Sequence, residues 1–267
     1  MGHPFRNPQD ILDLESKMPL DMALDSSTVY QRLCKTRDLY PDRPAVSFQL
    51  KSDAHYKATT LSWSELTTKV TQAANLFRSL GVGPKDVVAY LLPTTHETLI
   101  TLMGGMTCGI VAPINPTLEP ESIAALLRET DAKVLVTLRA FPKTNVSDLA
   151  SQAVALSPNI KTVIELDLLP HLSGISRLIV PLIRPKNSTQ HSAKIIDFNQ
   201  SLALQNDTEL SFKEDLTDPY CAFFHTGGTT GMPKIAQHRH TGVLYNGWIA
   251  SSLIFSEDDI IMCLQQP

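Results

Sequence analysis

A short stretch near the end of the chain, HTGGTTGMPK at residues 225–234, concentrates residue types that bind anions. Glycines let the backbone turn sharply and bring its N–H groups close to a ligand. Threonine hydroxyls add hydrogen-bond donors, lysine adds a mobile positive charge, and proline restricts the backbone just before that lysine. This composition predicts a polyphosphate-binding loop formed by Thr226, Gly227, Gly228, Thr229, Thr230, Gly231 and Lys234.

Two common phosphate-binding motifs do not account for this loop. The Walker pattern requires Gly-Lys followed by Ser or Thr, whereas Lys234 follows Pro233 and precedes Ile235. The GxGxxG fingerprint of dinucleotide-binding folds does not occur in the sequence. From the residues alone, a flexible hairpin carrying a solvated lysine remains the alternative to a phosphate loop.

The elements around the loop are predicted from hydrophobic periodicity. YCAFFHT (220–226) is typical of a strand, residues 240–253 of a helix, and DIIMCL (259–264) of another strand. Upstream, short β-branched segments at 86–92, 109–114, 133–137 and 161–166 alternate with helical patterns at about 95–107, 120–130 and 146–156. Such alternation predicts an α/β fold with a mainly parallel sheet and flanking helices.

Before this alternation, residues 28–40 look helical, and 45–50 with 56–63 predict a β-hairpin. Ser62 and Glu65 have the spacing of a capping box, which opens a helix that Gly81 ends. The organisation predicted is an N-terminal extension (1–27), a first α/β subdomain with hairpin and linker (28–218), and the start of a second α/β subdomain carrying the loop (219–267).

Residues 168–218 have a looser pattern, with prolines among apolar residues and a polar connection. Together with the basic Arg177, Arg184 and Lys186, the apolar residues suit a membrane-facing surface. The alternative is a lid or packing helix that closes the first sheet, favoured because prolines interrupt the amphipathic pattern.

Composition excludes some partners. The 267 residues are 43% hydrophobic and 19% charged, with a formal net charge of −4 and no basic stripe, which argues against nucleic acid. Four distant cysteines fit no metal-ligand spacing and predict buried free thiols in a reducing compartment. No secretion signal is evident, and no apolar run reaches the ~20 residues that span a bilayer. We therefore expect a soluble, cytoplasmic protein, for which peripheral membrane contact stays open.

The nine residues TGGTTGMPK closely resemble the phosphate-loop signature of the adenylate-forming superfamily, Thr-Ser-Gly-Thr-Thr-Gly-x-Pro-Lys. Residues 60–137, from TLSWSEL to KVLVT, resemble the N-terminal region of the same enzymes in order and spacing. The variant FFHTGGTTGMPKIAQHRH looks most like bacterial acyl-CoA synthetases. The resemblance covers residues 28–267 and implies the N-terminal part of the large domain of such an enzyme, truncated.

In this family, ATP activates a carboxylic acid as an acyl-adenylate, and CoA thiol then displaces AMP. The resemblance assigns the loop residues to the β- and γ-phosphates of ATP, with Mg²⁺ neutralising the remaining charge. It also places His240, Tyr245 and Trp248 near an acyl pocket, although a capping or core histidine and core aromatic residues fit these positions as well. His238 and His240 alternate without a further ligand nearby, so no metal site is predicted.

The sequence departs from the family pattern in two places and in its length. Gly227 replaces a frequent Ser, and Ile235 and Ala236 replace the usual Gly-Val after the lysine. Family members are about twice as long and supply their adenine-binding motif and adenylation lysine downstream. The resemblance therefore implies an inactive N-terminal fragment of an acyl-CoA synthetase for fatty or other carboxylic acids. Alternatives are a ligase that loads a carrier protein, a nucleotide-binding module without ligation activity, and an interaction fragment.

Overall fold

The computed structural model of the protein describes residues 7–50, 58–226 and 234–262. The helices in these ranges are α1 (Pro8–Lys17), α2 (Leu20–Ala23), α3 (Val29–Leu39), α4 (Trp63–Ser79), α5 (His96–Cys108), α6 (Pro120–Glu129), α7 (Val146–Ala155), α8 (Gly174–Ile179), α9 (Phe198–Ala203) and α10 (His240–Leu253). The strands are β1 (Pro44–Phe48), β2 (Thr59–Ser62), β3 (Val87–Leu91), β4 (Ile110–Pro113), β5 (Ala132–Leu138), β6 (Thr162–Leu166), β7 (Lys194–Asp197), β8 (Tyr220–His225) and β9 (Ile235–Arg239). Short 3₁₀ turns cover Leu169–His171 and Val180–Leu182.

A seven-stranded sheet in the order β7-β6-β5-β3-β4-β8-β9 organises the molecule. All neighbouring pairs are parallel except β8 and β9, which form an antiparallel hairpin. The central strand β3 is buried along its whole length, because helices cover both faces of the sheet. The predicted α/β fold with a mainly parallel sheet is therefore confirmed.

The N-terminal hairpin and the helix after it form as the sequence predicts. Strands β1 and β2 pair antiparallel, and α4 begins directly after β2. The Ser62 hydroxyl accepts from the N–H of Glu65 at 3.2 Å, and the Glu65 carboxylate accepts from the N–H of Ser62 at 2.8 Å. Gly81 follows the helix with φ of +85°, a conformation that glycine adopts without a steric penalty.

Helices α4 and α5 pack against each other through small residues. A Cβ added to Gly104 in α5 would stand 2.7 Å from the Cβ of Ala73 and 3.2 Å from the backbone nitrogen of Ala74, both in α4. Glycine at position 104 therefore sets how closely the two helices approach, and no larger side chain fits there without movement.

Three segments differ from the sequence-based predictions. Strand β7 forms inside the predicted polar connection, and β9 directly follows the glycine-rich loop, although neither was predicted. The strand predicted at 259–264 is wrong over residues 259–262. These residues form no strand and have no β-pairing partner among the described residues. Ile260 there is 93% exposed, so its apolar character reflects no packing against the described residues.

The predicted boundary between subdomains falls within the large sheet. Strand β8 begins at Tyr220 and hydrogen-bonds to β4, so strands on both sides of residue 218 belong to one sheet. The division at 218/219 stays a prediction. Among the described cysteines, Cys108 and Cys221 are buried free thiols and Cys34 is a half-buried one. Across the described ranges, no helix is both long and apolar enough to cross a membrane.

Candidate phosphate-binding site

The glycine-rich loop begins and ends on adjacent strands of one hairpin. His225 at the end of β8 pairs with Ile235 at the start of β9. One residue further out, the Thr226 N–H donates to the Lys234 carbonyl at 2.9 Å, and the Thr226 hydroxyl donates to the same oxygen at 3.3 Å. These two bonds close the base of the loop. Five of the predicted phosphate ligands, Gly227, Gly228, Thr229, Thr230 and Gly231, lie outside the described residues.

The loop base stands at the carboxyl end of the parallel strands. Because β8 runs parallel to β4, residues 226 and 234 share the sheet edge at which β3, β4, β5 and β6 end. In open α/β sheets, ligands bind outside this edge. The hairpin therefore presents the loop where such a fold binds its ligands.

His225 attaches the start of the loop to the neighbouring strand. Its Nδ1 lies 3.2 Å from the carbonyl oxygen of Pro113, at the end of β4. Since a carbonyl only accepts, Nδ1 is the donor in this hydrogen bond. The Nε2 of the same ring is buried without a hydrogen-bond partner among the described residues. The chain entering the loop is thus fixed to β4 before it turns.

The described loop residues fit a phosphate group. Lys234 is exposed and forms no ion pair with any described residue, so its ammonium is available to an anion. The exposed Thr226 lies beside it. For a metal ion the described residues offer less, since they contain no group of three or more His, Cys, Asp or Glu side chains placed to hold one.

His240 lies at the start of α10 and is buried, 4% exposed. Its Nδ1 accepts a hydrogen bond of 3.3 Å from the N–H of Val29, the first residue of α3. Burial lowers the pKa of His240, while Asp218 and Asp215 act in the opposite direction. His240 therefore accepts a hydrogen bond from a free N–H group at the N-terminus of α3. Such a capping contact is one of the roles that the sequence left open for His240, beside a role in an acyl pocket.

Tyr245 and Trp248 lie on the same helix, one turn apart. Their rings stack with centroids 5.8 Å apart and planes at 30°, and both side chains are half-buried. The Tyr245 hydroxyl donates to the carboxylate of Glu15 in α1 at 2.9 Å. The two rings therefore form a partly solvent-accessible aromatic surface on α10, the helix that follows the hairpin, and are not fully buried in the core.

The N-terminus of α10 is capped from outside the hairpin. The Asp218 carboxylate accepts from the N–H of Thr241 at 2.9 Å, and Asp218 itself has φ of +58°. Arg239 donates to the Asp218 carbonyl and lies 4.3 Å above the ring of Tyr220. Sequence reasoning missed Asp218 and His225. The signal for His225 was its place next to Thr226, whereas Asp218 caps a helix 23 positions later and leaves no local pattern.

Comparisons with known proteins agree with the geometry. The sequence model of the AMP-binding enzyme family matches residues 35–266. The chain is 34% identical over 242 residues to marinolic acid–CoA ligase from Pseudoalteromonas sp. (strain SANK 73390), covering 90% of this chain and 34% of that protein. It is 26% identical over 248 residues to the long-chain-fatty-acid–CoA ligase of Bacillus subtilis (strain 168), covering 88% and 40%.

Solved structures share the fold. Acetoacetyl-CoA synthetase from Streptomyces lividans superimposes with a TM-score of 0.66 at 20% identity, covering 84% of this chain and 32% of that one. The anthranilate CoA ligase AuaEII in complex with anthranoyl-AMP gives a TM-score of 0.60 at 19% identity, covering 80% and 35%. The chain therefore spans about a third of the length of the proteins it matches.

Proposed function

Because the chain belongs to the family of AMP-binding enzymes, we propose that it forms the N-terminal, phosphate-binding part of an ATP-dependent acyl-CoA synthetase. The observation that carries the proposal is the β8–β9 hairpin, closed at its base by Thr226 and Lys234 at the carboxyl edge of the sheet. The names of the relatives support the same chemistry, since both curated relatives described above are acid–CoA ligases.

The proposed role of the loop is to hold the β- and γ-phosphates of ATP. Its ligands are Thr226, Gly227, Gly228, Thr229, Thr230, Gly231 and Lys234. Backbone N–H groups, hydroxyls and the ammonium of Lys234 stabilise the negative charge that develops on pyrophosphate as it leaves. Mg²⁺ supplies further neutralising charge when bound. The strand pairing supports this role, because it places Thr226 and Lys234 side by side at the base of the loop.

We assign a carboxylic acid, preferentially a fatty acid, as the substrate, and CoA as the acceptor. Tyr245 and Trp248 are the proposed contacts for its acyl chain, supported by their half-buried, stacked rings next to the hairpin. His240 contributes to that pocket only through α10, since its Nδ1 already bonds to Val29. A cytoplasmic location completes the proposal, supported by the free thiols Cys108 and Cys221.

The test uses the full-length parent protein that this proposal requires. Lys234→Ala removes the ammonium and lowers kcat/KM for ATP by about a hundredfold or more, because it deletes charge stabilisation of the leaving group. Binding of the carboxylic acid, measured by titration calorimetry, stays within about threefold. Lys194→Ala is the matched control and leaves both quantities unchanged. Lys194 is exposed and lies on β7, the outermost strand on the side of the sheet away from β8 and β9.

Two outcomes would contradict the proposal. Equal losses of ATP use and acid binding in Lys234→Ala would indicate a structural role for the lysine. AMP formation that requires a carrier protein and ignores CoA would make the parent a carrier-loading ligase, and no AMP formation with either acceptor would leave only a nucleotide-binding module.

A further inference from the structure

The connection between β6 and β7, residues 167–193, differs in charge from the rest of this acidic chain. After Asp167 it contains three basic residues, Arg177, Arg184 and Lys186, and no acidic residue. Arg177 and Lys186 are exposed, and Lys194 at the start of β7 adds another exposed positive charge. The connection is therefore a basic region in a protein whose formal net charge is −4.

The same connection exposes a row of large apolar side chains. They lie in α8, in the 3₁₀ turn Val180–Leu182 after it and at the residue that ends this turn. Leu178 is 74% exposed and Leu182 is 84% exposed. The apolar face consists of Ile175, Leu178, Ile179, Leu182 and Ile183.

This exposure does not come from a loose segment, because the chain is fixed on both sides of residues 175–183. Before them, His171 Nε2 lies 2.9 Å from the buried carboxylate of Glu97 in α5. After them, Arg184 forms two hydrogen bonds of 2.7 and 2.8 Å with Asp167 and another of 2.7 Å with the Ala140 carbonyl.

Within the connection, one side of the chain is buried while the apolar face stays outside. Leu172 is 5% exposed and Val180 is 8% exposed, so these two residues anchor the segment to the core. The predicted packing against the first sheet is thus seen at Leu172 and Val180, but not at the exposed apolar residues between and after them. The face defined above is held in place and turned to solvent, as in helices that lie in a membrane interface.

We propose that this face binds the surface of a bilayer containing anionic lipids. The apolar side chains enter the boundary between headgroups and acyl chains, and the exposed Arg177 and Lys186 attract the anionic headgroups. Charge complementarity favours an anionic lipid surface over a symmetric dimer formed through this face, since such a dimer would bring the same positive charges together.

The position of the face fits a protein that works while it is attached. The connection leaves β6 at the carboxyl edge of the sheet, where the glycine-rich loop also leaves β8. Four strand spacings, about 19 Å, separate β6 from β8. The connection therefore starts on a strand about 19 Å away from the strand that leads into the glycine-rich loop.

Vesicle flotation with the 267-residue chain tests the proposal. We expect the chain to float with vesicles of phosphatidylcholine and phosphatidylglycerol, and to bind much less to phosphatidylcholine alone. Raising salt from about 0.1 M to about 1 M shortens the screening length from about 10 to about 3 Å and releases the protein. The double variant Leu178→Ser/Leu182→Ser loses about tenfold or more in the partition coefficient.

A matched control distinguishes binding through this face from non-specific hydrophobic adsorption. Leu204→Ser changes a leucine that is equally exposed, at 84%, but lies after α9 outside the connection, and it leaves binding unchanged. Arg177→Gln/Lys186→Gln weakens binding to anionic vesicles and removes most of its salt dependence. Circular dichroism shows that each variant retains the fold.

The proposal is overturned if the parent chain does not bind anionic vesicles, or if the Leu178→Ser/Leu182→Ser variant binds as well as the parent. It is also overturned if sedimentation shows an oligomer that this double variant dissociates while vesicle binding is absent, because the face would then be covered by a second copy.

Discussion

The hydrogen bond between His240 and Val29 links α10, the helix after the glycine-rich loop, to α3 near the N-terminus. Its acceptor is a buried ring nitrogen whose lone pair is available only while the imidazole is neutral. Because burial lowers the pKa of His240 below its ordinary value of 6.5, the unfolded chain binds a proton more readily than the folded one. The contact therefore weakens on acidification.

We predict that His240 makes the free energy of unfolding decrease as pH falls from 7 to 5, against the opposite contribution of Glu165 and Glu214, whose pKa values are raised by burial. Below the pKa that His240 has in the unfolded chain, the unfolded state binds a proton that the folded state does not. The contribution of His240 to stability is therefore lost as pH falls below this pKa and retained above it. His240→Asn keeps an acceptor oxygen but cannot titrate, and it reduces this slope. Burial also lowers the pKa of His96. Its contribution to stability therefore decreases with falling pH as well, and part of the pH dependence remains in the His240→Asn variant. Urea unfolding at several pH values measures both effects.

His240→Ala provides the companion measurement. It leaves the first N–H of α3 without its acceptor and costs about 1–3 kcal/mol at pH 7, whereas His240→Asn costs less. Equal costs for the two variants, or a pH slope unchanged in His240→Asn, would show that the Val29 contact does not contribute to stability.

At this scale the sequence predicts residue types better than partners. The capping pair Ser62 and Glu65 was found because its two members stand three positions apart. The partners of His240 and Thr241, Val29 and Asp218, are distant in sequence and are brought close only by the fold. The sequence accordingly left the role of His240 open between a capping contact and an acyl-pocket contact.

At the scale of elements, the contact between α4 and α5 depends on a glycine. We predict that Gly104→Ala lowers the free energy of unfolding by about 1–3 kcal/mol, because the new Cβ would overlap Ala73 Cβ. Gly247→Ala, the same change in α10, has no atom within 4 Å of the added Cβ and raises stability by up to about 1 kcal/mol.

Urea unfolding of the two variants and the parent checks this prediction. Identical midpoints for Gly104→Ala and Gly247→Ala would mean that α4 and α5 separate without cost, and that the close approach in the structure is not required for stability.

Elements buried on both faces were predicted most completely. Strands β3 to β6 have mostly apolar, β-branched sequences, and the helices between them have clear helical periodicity. Strand β9 was missed because IAQHR lies on the sheet edge and has half-buried and exposed positions only. The prediction for residues 259–262 was wrong for the opposite reason. Their apolar sequence is typical of a strand, but no described strand pairs with them.

At the scale of the whole molecule, the chain supplies the proposed phosphate loop and about a third of the length of its relatives. Lys234 and Thr226 mark the loop base, yet the described residues contain no group of acidic or histidine side chains that could hold a metal ion. The chain also spans only 34–40% of the two acid–CoA ligases that it resembles in sequence. Adenylate formation requires charge neutralisation around the whole triphosphate together with an oriented carboxylate.

We therefore predict that the isolated 267-residue chain folds but releases no pyrophosphate in the presence of ATP, Mg²⁺ and a fatty acid. A loop that binds phosphates without orienting the attacking carboxylate gains little rate, because positioning and charge stabilisation act together in this chemistry. A coupled pyrophosphate assay measures turnover, with the long-chain-fatty-acid–CoA ligase of Bacillus subtilis as the positive control and circular dichroism to verify folding. Fatty-acid-dependent pyrophosphate release by the folded chain, abolished by Lys234→Ala, would show instead that these residues suffice for the adenylation step.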